Sequence, residues 1–160
     1  IAVLPCWAKG DYMTLEAFLD LAFDQAEPQQ EALWFSGDQR EAIKDMLGRE
    51  PATLRQRYWG SGTRTAWILE EIGKERPITI GIAVDAERIS RVEILTFRES
   101  RGWEVRYPFF TEQFVGLELK GTGKLSGHVD GVTGATLSVR AVKKVAQLAL
   151  FLHSQTPYAE

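Results

Sequence analysis

Apolar and polar positions change their period near Thr65, and the change separates two kinds of local structure. Upstream, Leu15, Phe18, Leu19, Ala22 and Phe23 follow i, i+3, i+4, i+7, i+8 spacing, one apolar stripe of a helix with Thr14 as its N-cap. This first helix is expected to end near Pro28. Asp38 and Glu41 have the spacing of a capping box, and Ile43, Met46 and Leu47 then predict a short second helix closed by Gly48 and Pro51. Downstream the period becomes two: Ile78, Ile80, Ile82 and Val84 alternate with Thr79, Gly81 and Ala83, which predicts a strand. Asp85-Ala86-Glu87-Arg88 is a short polar turn, and Ile89 to Phe97 is again rich in strand formers, so a hairpin is expected. Trp67-Ile68-Leu69 supplies a neighbouring strand. After Ser138 the helical period returns, with Val139, Val142, Val145, Ala146, Ala149 and Leu152 on one face and Arg140, Lys143, Lys144 and Gln147 opposite.

Strands followed by a helix that covers one sheet face predict an α+β fold, an antiparallel sheet packed against a C-terminal amphipathic helix. Residues 1–64 read as an N-terminal helical extension and residues 65–155 as the main domain, the two forming one compact unit. A chain of 160 residues suits a single domain with a real core. With 44% hydrophobic and 26% charged residues it has a globular composition, and no stretch approaches the ~20 apolar residues of a membrane span. A net charge of −3 with scattered basic residues is not the footprint of a nucleic-acid binder. Cys6 has no second cysteine to pair with, and it stands near a chain end, where a chemical role is not expected. The chain opens on Ile1, read as a processed start from which a removed export signal would leave no trace.

Chemistry concentrates in Asp130-Gly131-Val132-Thr133-Gly134-Ala135-Thr136-Leu137-Ser138, directly before the amphipathic helix. Glycines and small residues let a backbone approach a phosphate, and the free N–H groups at a helix start attract anions. The same residues fit a plain helix start in which Thr133, Thr136 or Ser138 is an N-cap after a glycine turn. Spacing does not separate the two readings. Gly121-Thr122-Gly123-Lys124 lacks the spacing of a phosphate-binding P-loop and reads as a turn. His128 is expected as a solvent-exposed loop residue, and His153 as a cation at a helix C-terminus. Neither a metal-ligand cluster nor a Ser-His-Asp arrangement emerges from the spacing.

The run Asp130 to Thr136 resembles the acceptor motif of the FMN-binding domain family, found in flavin-bearing subunits of the sodium-translocating NADH:quinone reductase and the Rnf complex. Asp130, Thr133, Thr136 and Ser138 each match a position of that motif. A looser similarity extends upstream, where Glu99-Ser100-Arg101-Gly102-Trp103 stands in place of a glutamate and glycine loop, with Arg101 where relatives carry proline. Pro108 to Gly116 resembles the Phe-rich segment that follows. The likeness covers roughly Thr65 to Leu152.

The resemblance implies FMN joined through its phosphate to the Thr136 hydroxyl by a flavin transferase, with backbone amides of Ala135 to Val139 around the phosphate. Asp130 either shapes the turn or is read by the transferase, with or without a metal. Glu99, Arg101 and Gly102 border the isoalloxazine ring, and Trp103 either stacks on it or is an ordinary core aromatic. The implied function is electron relay between donor and acceptor proteins, such as a haem protein or a membrane reductase, in a periplasmic or other extracytoplasmic location. A sensing or docking module of a membrane redox assembly, and a flavin oxidoreductase with its own small substrate, are the alternatives.

Overall fold

A computed structural model describes residues 10–159, and Cys6 lies outside the described residues. Five strands, β1 (Gln29–Trp34), β2 (Arg55–Ser61), β3 (Arg64–Ile72), β4 (Pro77–Asp85) and β5 (Arg88–Thr96), pair antiparallel with their neighbours in sequence order. The expected β4–β5 hairpin closes through Ala86 and Glu87, with Ala86 at φ +57°. The α+β expectation holds: helix α4 (Thr136–Ser154) lies along β3 and β4.

Both faces of the central strands are covered. Ile78, Ile80, Ile82 and Val84 of β4 are fully buried in the cluster that contains Val139, Val142, Val145, Ala149 and Leu152 of α4. On the other face lies helix α1 (Leu15–Ala22), whose Phe18 sits so close to Gly81 that a Cβ there would stand 2.8 Å from its ring. Thr14 caps α1 as expected, accepting from Ala17 N at 3.1 Å. The helix ends at Ala22 rather than near Pro28, because Asp24 and Gln25 take positive φ and turn the chain toward β1.

The segment read as a helical extension supplies its two helices and also β1 and β2. These continue the sheet across the 64/65 boundary through the pairs Ser61↔Arg64 and Trp59↔Ala66. Tyr58 of β2 stacks on Trp67 of β3, ring centroids 4.6 Å apart, inside the main core. The N-cap of helix α2 (Gly37–Leu47) is Ser36, two residues before the Asp38 of the predicted capping box. The chain leaves β1 only after Phe35 N bonds Leu54 O, so Ser36 and Gln39 form the box, at 3.1 and 2.9 Å. Gly48 closes the helix at φ +76°.

Burial on α4 is wider than its sequence stripe. Ala141, Leu148 and Leu150 are buried too, α2 packs on the helix, and Lys144 reaches back to the Leu47 carbonyl. After β5 the chain forms 3₁₀ turns at Trp103–Arg106 and Glu112–Phe114 around the four-residue α3 (Pro108–Thr111), pinned by fully buried Val105, Phe110 and Phe114. Among the described residues no helix is long and apolar enough to cross a membrane.

Candidate functional site

Three loops meet where α4 begins: the β3–β4 turn at residues 73–76, the segment after β5, and the run that ends at Ala135. Their fit depends on two glycines. Gly134 takes φ +81° and turns the chain into the helix, while Ala135 N bonds Val132 O at 3.0 Å. Gly102 takes φ +92°, and a Cβ on it would stand 2.9 Å from Ser138 Oγ and 3.3 Å from Ala135 Cβ. The segment after β5 can therefore lie against the helix start only with glycine at 102.

Helix α4 starts at Thr136, three residues before Val139, where the helical period of the sequence begins, and its N-cap is Ala135. Alanine has no side-chain acceptor, so the reading of Thr133, Thr136 or Ser138 as N-cap is overturned. The first backbone bond of the helix runs from Val139 N to Ala135 O at 2.9 Å. The N–H groups of Thr136, Leu137 and Ser138 precede it and have no intrahelical acceptor. Thr136 and Leu137 are exposed, whereas Ser138 is buried against Gly102.

A cleft of about 440 Å³ opens here, lined by Lys74, Glu99, Ser100, Arg101 and the run Gly134, Ala135, Thr136, Leu137 and Ser138. Gly131, Val132, Thr136, Val139, Arg140 and Lys143 line a second hollow of about 290 Å³, so Thr136 stands between the two. Most residues singled out in the sequence thus gather around one threonine. Lys74 was not singled out, because a lysine in a polar turn carries no motif.

The remaining candidates sit differently. The Asp130 side chain is exposed and pairs with His128, Nε2 to Oδ1 at 3.0 Å. Its backbone is held instead by Gln113, whose Oε1 accepts from Asp130 N at 2.7 Å and whose Nε2 donates to Asp130 O at 3.4 Å. The turn is therefore braced by Gln113 rather than by the Asp130 carboxylate. Thr133 is exposed on the loop. Trp103 is 42% exposed, which removes the core-aromatic reading, and it does not line the cleft. Lys120 and Lys124 close the Gly121–Gly123 stretch as a tight turn, as expected.

Glu99 is held by hydrogen bonds within the chain. Its Oε1 accepts from the backbone N–H groups of Lys74, Glu75 and Arg76 at 2.9, 2.6 and 2.7 Å. Desolvation raises its pKa, but the three donors with the Arg76 charge outweigh it and hold the carboxyl below the usual glutamate range. His153 stands in the last turn of α4, as expected, but it is buried in the core. Its Nδ1 shares a hydrogen bond with Thr65 Oγ1 at 2.6 Å, Thr65 Oγ1 accepts from Trp67 Nε1 at 2.8 Å, and desolvation lowers the His153 pKa. Among the described residues no group of three or more His, Cys, Asp or Glu side chains could hold a metal ion.

The donor set suits a phosphorylated ligand with a large ring: three unpaired N–H groups, an exposed hydroxyl, nearby cations, and a cleft within the size range of cofactor sites. No curated protein matches the chain in sequence. The profile of the FMN-binding domain family matches residues 73–150, from the β3–β4 turn through most of α4. That span contains every residue of the cleft, from Lys74 to Ser138, and over it the chain matches the FMN-binding domain family.

Proposed function

We propose that the domain carries FMN in phosphoester linkage to Thr136 Oγ1 and relays electrons between a donor and an acceptor outside the chain. The observation that carries this reading is the setting of Thr136, an exposed hydroxyl on the first residue of an uncapped helix, at the rim of the cleft. A phosphate esterified there stays anionic, and the N–H groups of Thr136, Leu137 and Ser138 offer it hydrogen bonds along the positive end of the helix. Lys74, Arg101, Arg140 and Lys143 surround the same point with cations. In the attachment reaction the Thr136 oxygen would lose its proton and bond to the FMN-side phosphorus of a flavin dinucleotide brought by the transferase. The bond from that phosphorus to the bridging oxygen breaks, and the nucleoside monophosphate leaves with that oxygen and takes up a proton. The group supplies reversible electron uptake at its isoalloxazine ring. Glu99, Ser100 and Arg101 line the cleft where that ring would lie, and would border it on one side.

A tethered cofactor beside an open cleft suits a carrier that meets its partners in turn. We place those partners among redox proteins such as a haem protein or a membrane reductase. The location we propose is outside the cytoplasm, where the flavin transferase of such domains acts. Production of the chain with a flavin transferase in an exporting host is expected to add the mass of FMN less one water. Intact-mass spectra without that adduct would remove the covalent assignment, and substrate turnover by the purified chain alone would replace the carrier with an enzyme.

A further inference from the structure

Glu99 lines the cleft, yet one of its oxygens is committed to three successive backbone N–H groups of the β3–β4 turn, at 2.6 to 2.9 Å. Converging N–H groups of this kind form an anion-binding nest, and here the anion is the chain's own carboxylate. Arg98 adds a second tie, its Nη1 donating to Pro77 O at 2.8 Å and to Thr79 Oγ1 at 3.1 Å. The turn is also seated on the helix start. A Cβ on Gly73 would stand 3.5 Å from Ser138 Oγ and 3.6 Å from Glu99 Oε1. What this turn presents to the cleft is Lys74.

We propose that Glu99 is a positioning residue: by clasping residues 74–76 it fixes Lys74 at the cleft, and the Lys74 ammonium sets how readily bound FMN takes up electrons. The inference rests on FMN occupying this cleft, as proposed above. Reduction adds negative charge to a flavin ring, and a cation held beside it in a partly desolvated cleft favours the reduced form. Without the clasp, the turn whose backbone carries Lys74 would sample positions away from the cleft, and the average effect of the ammonium would fall. Glu99 could influence the ring directly only in the opposite sense, because its negative charge disfavours reduction. The two roles therefore differ in sign.

The test uses the full chain loaded with FMN, attached through a flavin transferase or bound from solution. It reads the midpoint potential together with hydrogen exchange at the Lys74, Glu75 and Arg76 amides. Glu99→Gln is expected to speed exchange at those amides by about tenfold or more, as loss of charge-assisted bonds requires. It is also expected to lower the potential in the same direction as Lys74→Met. In a Lys74→Met background Glu99→Gln should no longer lower the potential. A rise in potential for Glu99→Gln alone, unchanged exchange at the three amides, or no shift for Lys74→Met would each overturn the proposal. Lys74→Met alters only an exposed turn side chain and reports even if Glu99→Gln fails to fold. Amide shifts caused by FMN should fall on residues 99–101 and 134–138. Shifts elsewhere would defeat the placement of FMN and this inference with it, whereas shifts there combined with a rise for Glu99→Gln would defeat the role of Glu99 alone.

Discussion

Thr136→Ala removes the exposed hydroxyl at the start of α4 without removing a cap, since Ala135 is the N-cap. The variant is expected to lose all covalent flavin by intact mass while its unfolding free energy stays within about 0.5 kcal/mol of the parent. Thr136→Ser keeps the nucleophilic oxygen and should keep part of the label. Flavin found on Thr133 or Ser138 by peptide mapping would move the acceptor. Asp130→Ala is expected to lower the extent of labelling with almost no change in thermal stability, because Gln113 braces that backbone. Equal losses in both would return Asp130 to a structural role. Gly102→Ala combines a left-handed backbone with a Cβ 2.9 Å from Ser138 Oγ. A destabilisation of about 1–3 kcal/mol in urea is expected, accompanied by reduced labelling. Wild-type stability in that variant would mean that the segment after β5 does not hold the cleft.

Helix α4 is fixed at its far end by the chain Trp67 Nε1–H, Thr65 Oγ1 and His153 Nδ1. Desolvation depresses the His153 pKa, so the folded protein binds this proton less readily than the unfolded chain, whose histidine titrates near ~6.5. The stability due to this group is thus present above that pH and falls as pH drops toward the folded value, by at most about 1.4 kcal/mol per pH unit. His153→Gln should flatten urea midpoints between pH 7 and 5, and an unchanged slope would exclude His153 as the source. Glu99, also depressed, loses its contribution at lower pH, below the ordinary glutamate range. The elements themselves were unevenly legible. β4, β5 and α4 follow clean periods because each has a continuous buried face, and the Thr14 cap is local chemistry. β1 and β2 were missed because Gln29, Gln30, Glu31, Arg55, Gln56 and Arg57 are polar, and their strand state comes from pairing rather than propensity. In the site, the 130–138 run was legible as a motif, whereas Lys74 and Gln113 act through tertiary contacts that no local spacing records.

At the scale of the molecule, the family match begins at Gly73 while the sheet begins at Gln29. β3 lies outside the match and carries Thr65, Trp67 and Leu69, all buried in the core with α4 or bonded to its last turn. A fragment of residues 73–150 is therefore expected to lack a cooperative urea transition and dispersed amide resonances, whereas the full chain shows both. A folded fragment would make β1–β3 an ornament rather than part of the core. One consequence concerns the two threonines of Thr133-Gly134-Ala135-Thr136. The nineteen residues of α4 make a rod of ~28 Å, seated against β3, β4 and α2 along its length. The Thr136 oxygen rides on the first turn of that rod, which buried Ala135, Ser138 and Val139 anchor. Thr133 rides on an exposed loop next to a glycine hinge. A modifying enzyme thus meets two chemically alike hydroxyls of unlike mechanical stiffness, and its choice between them can be made by compliance rather than by side-chain identity.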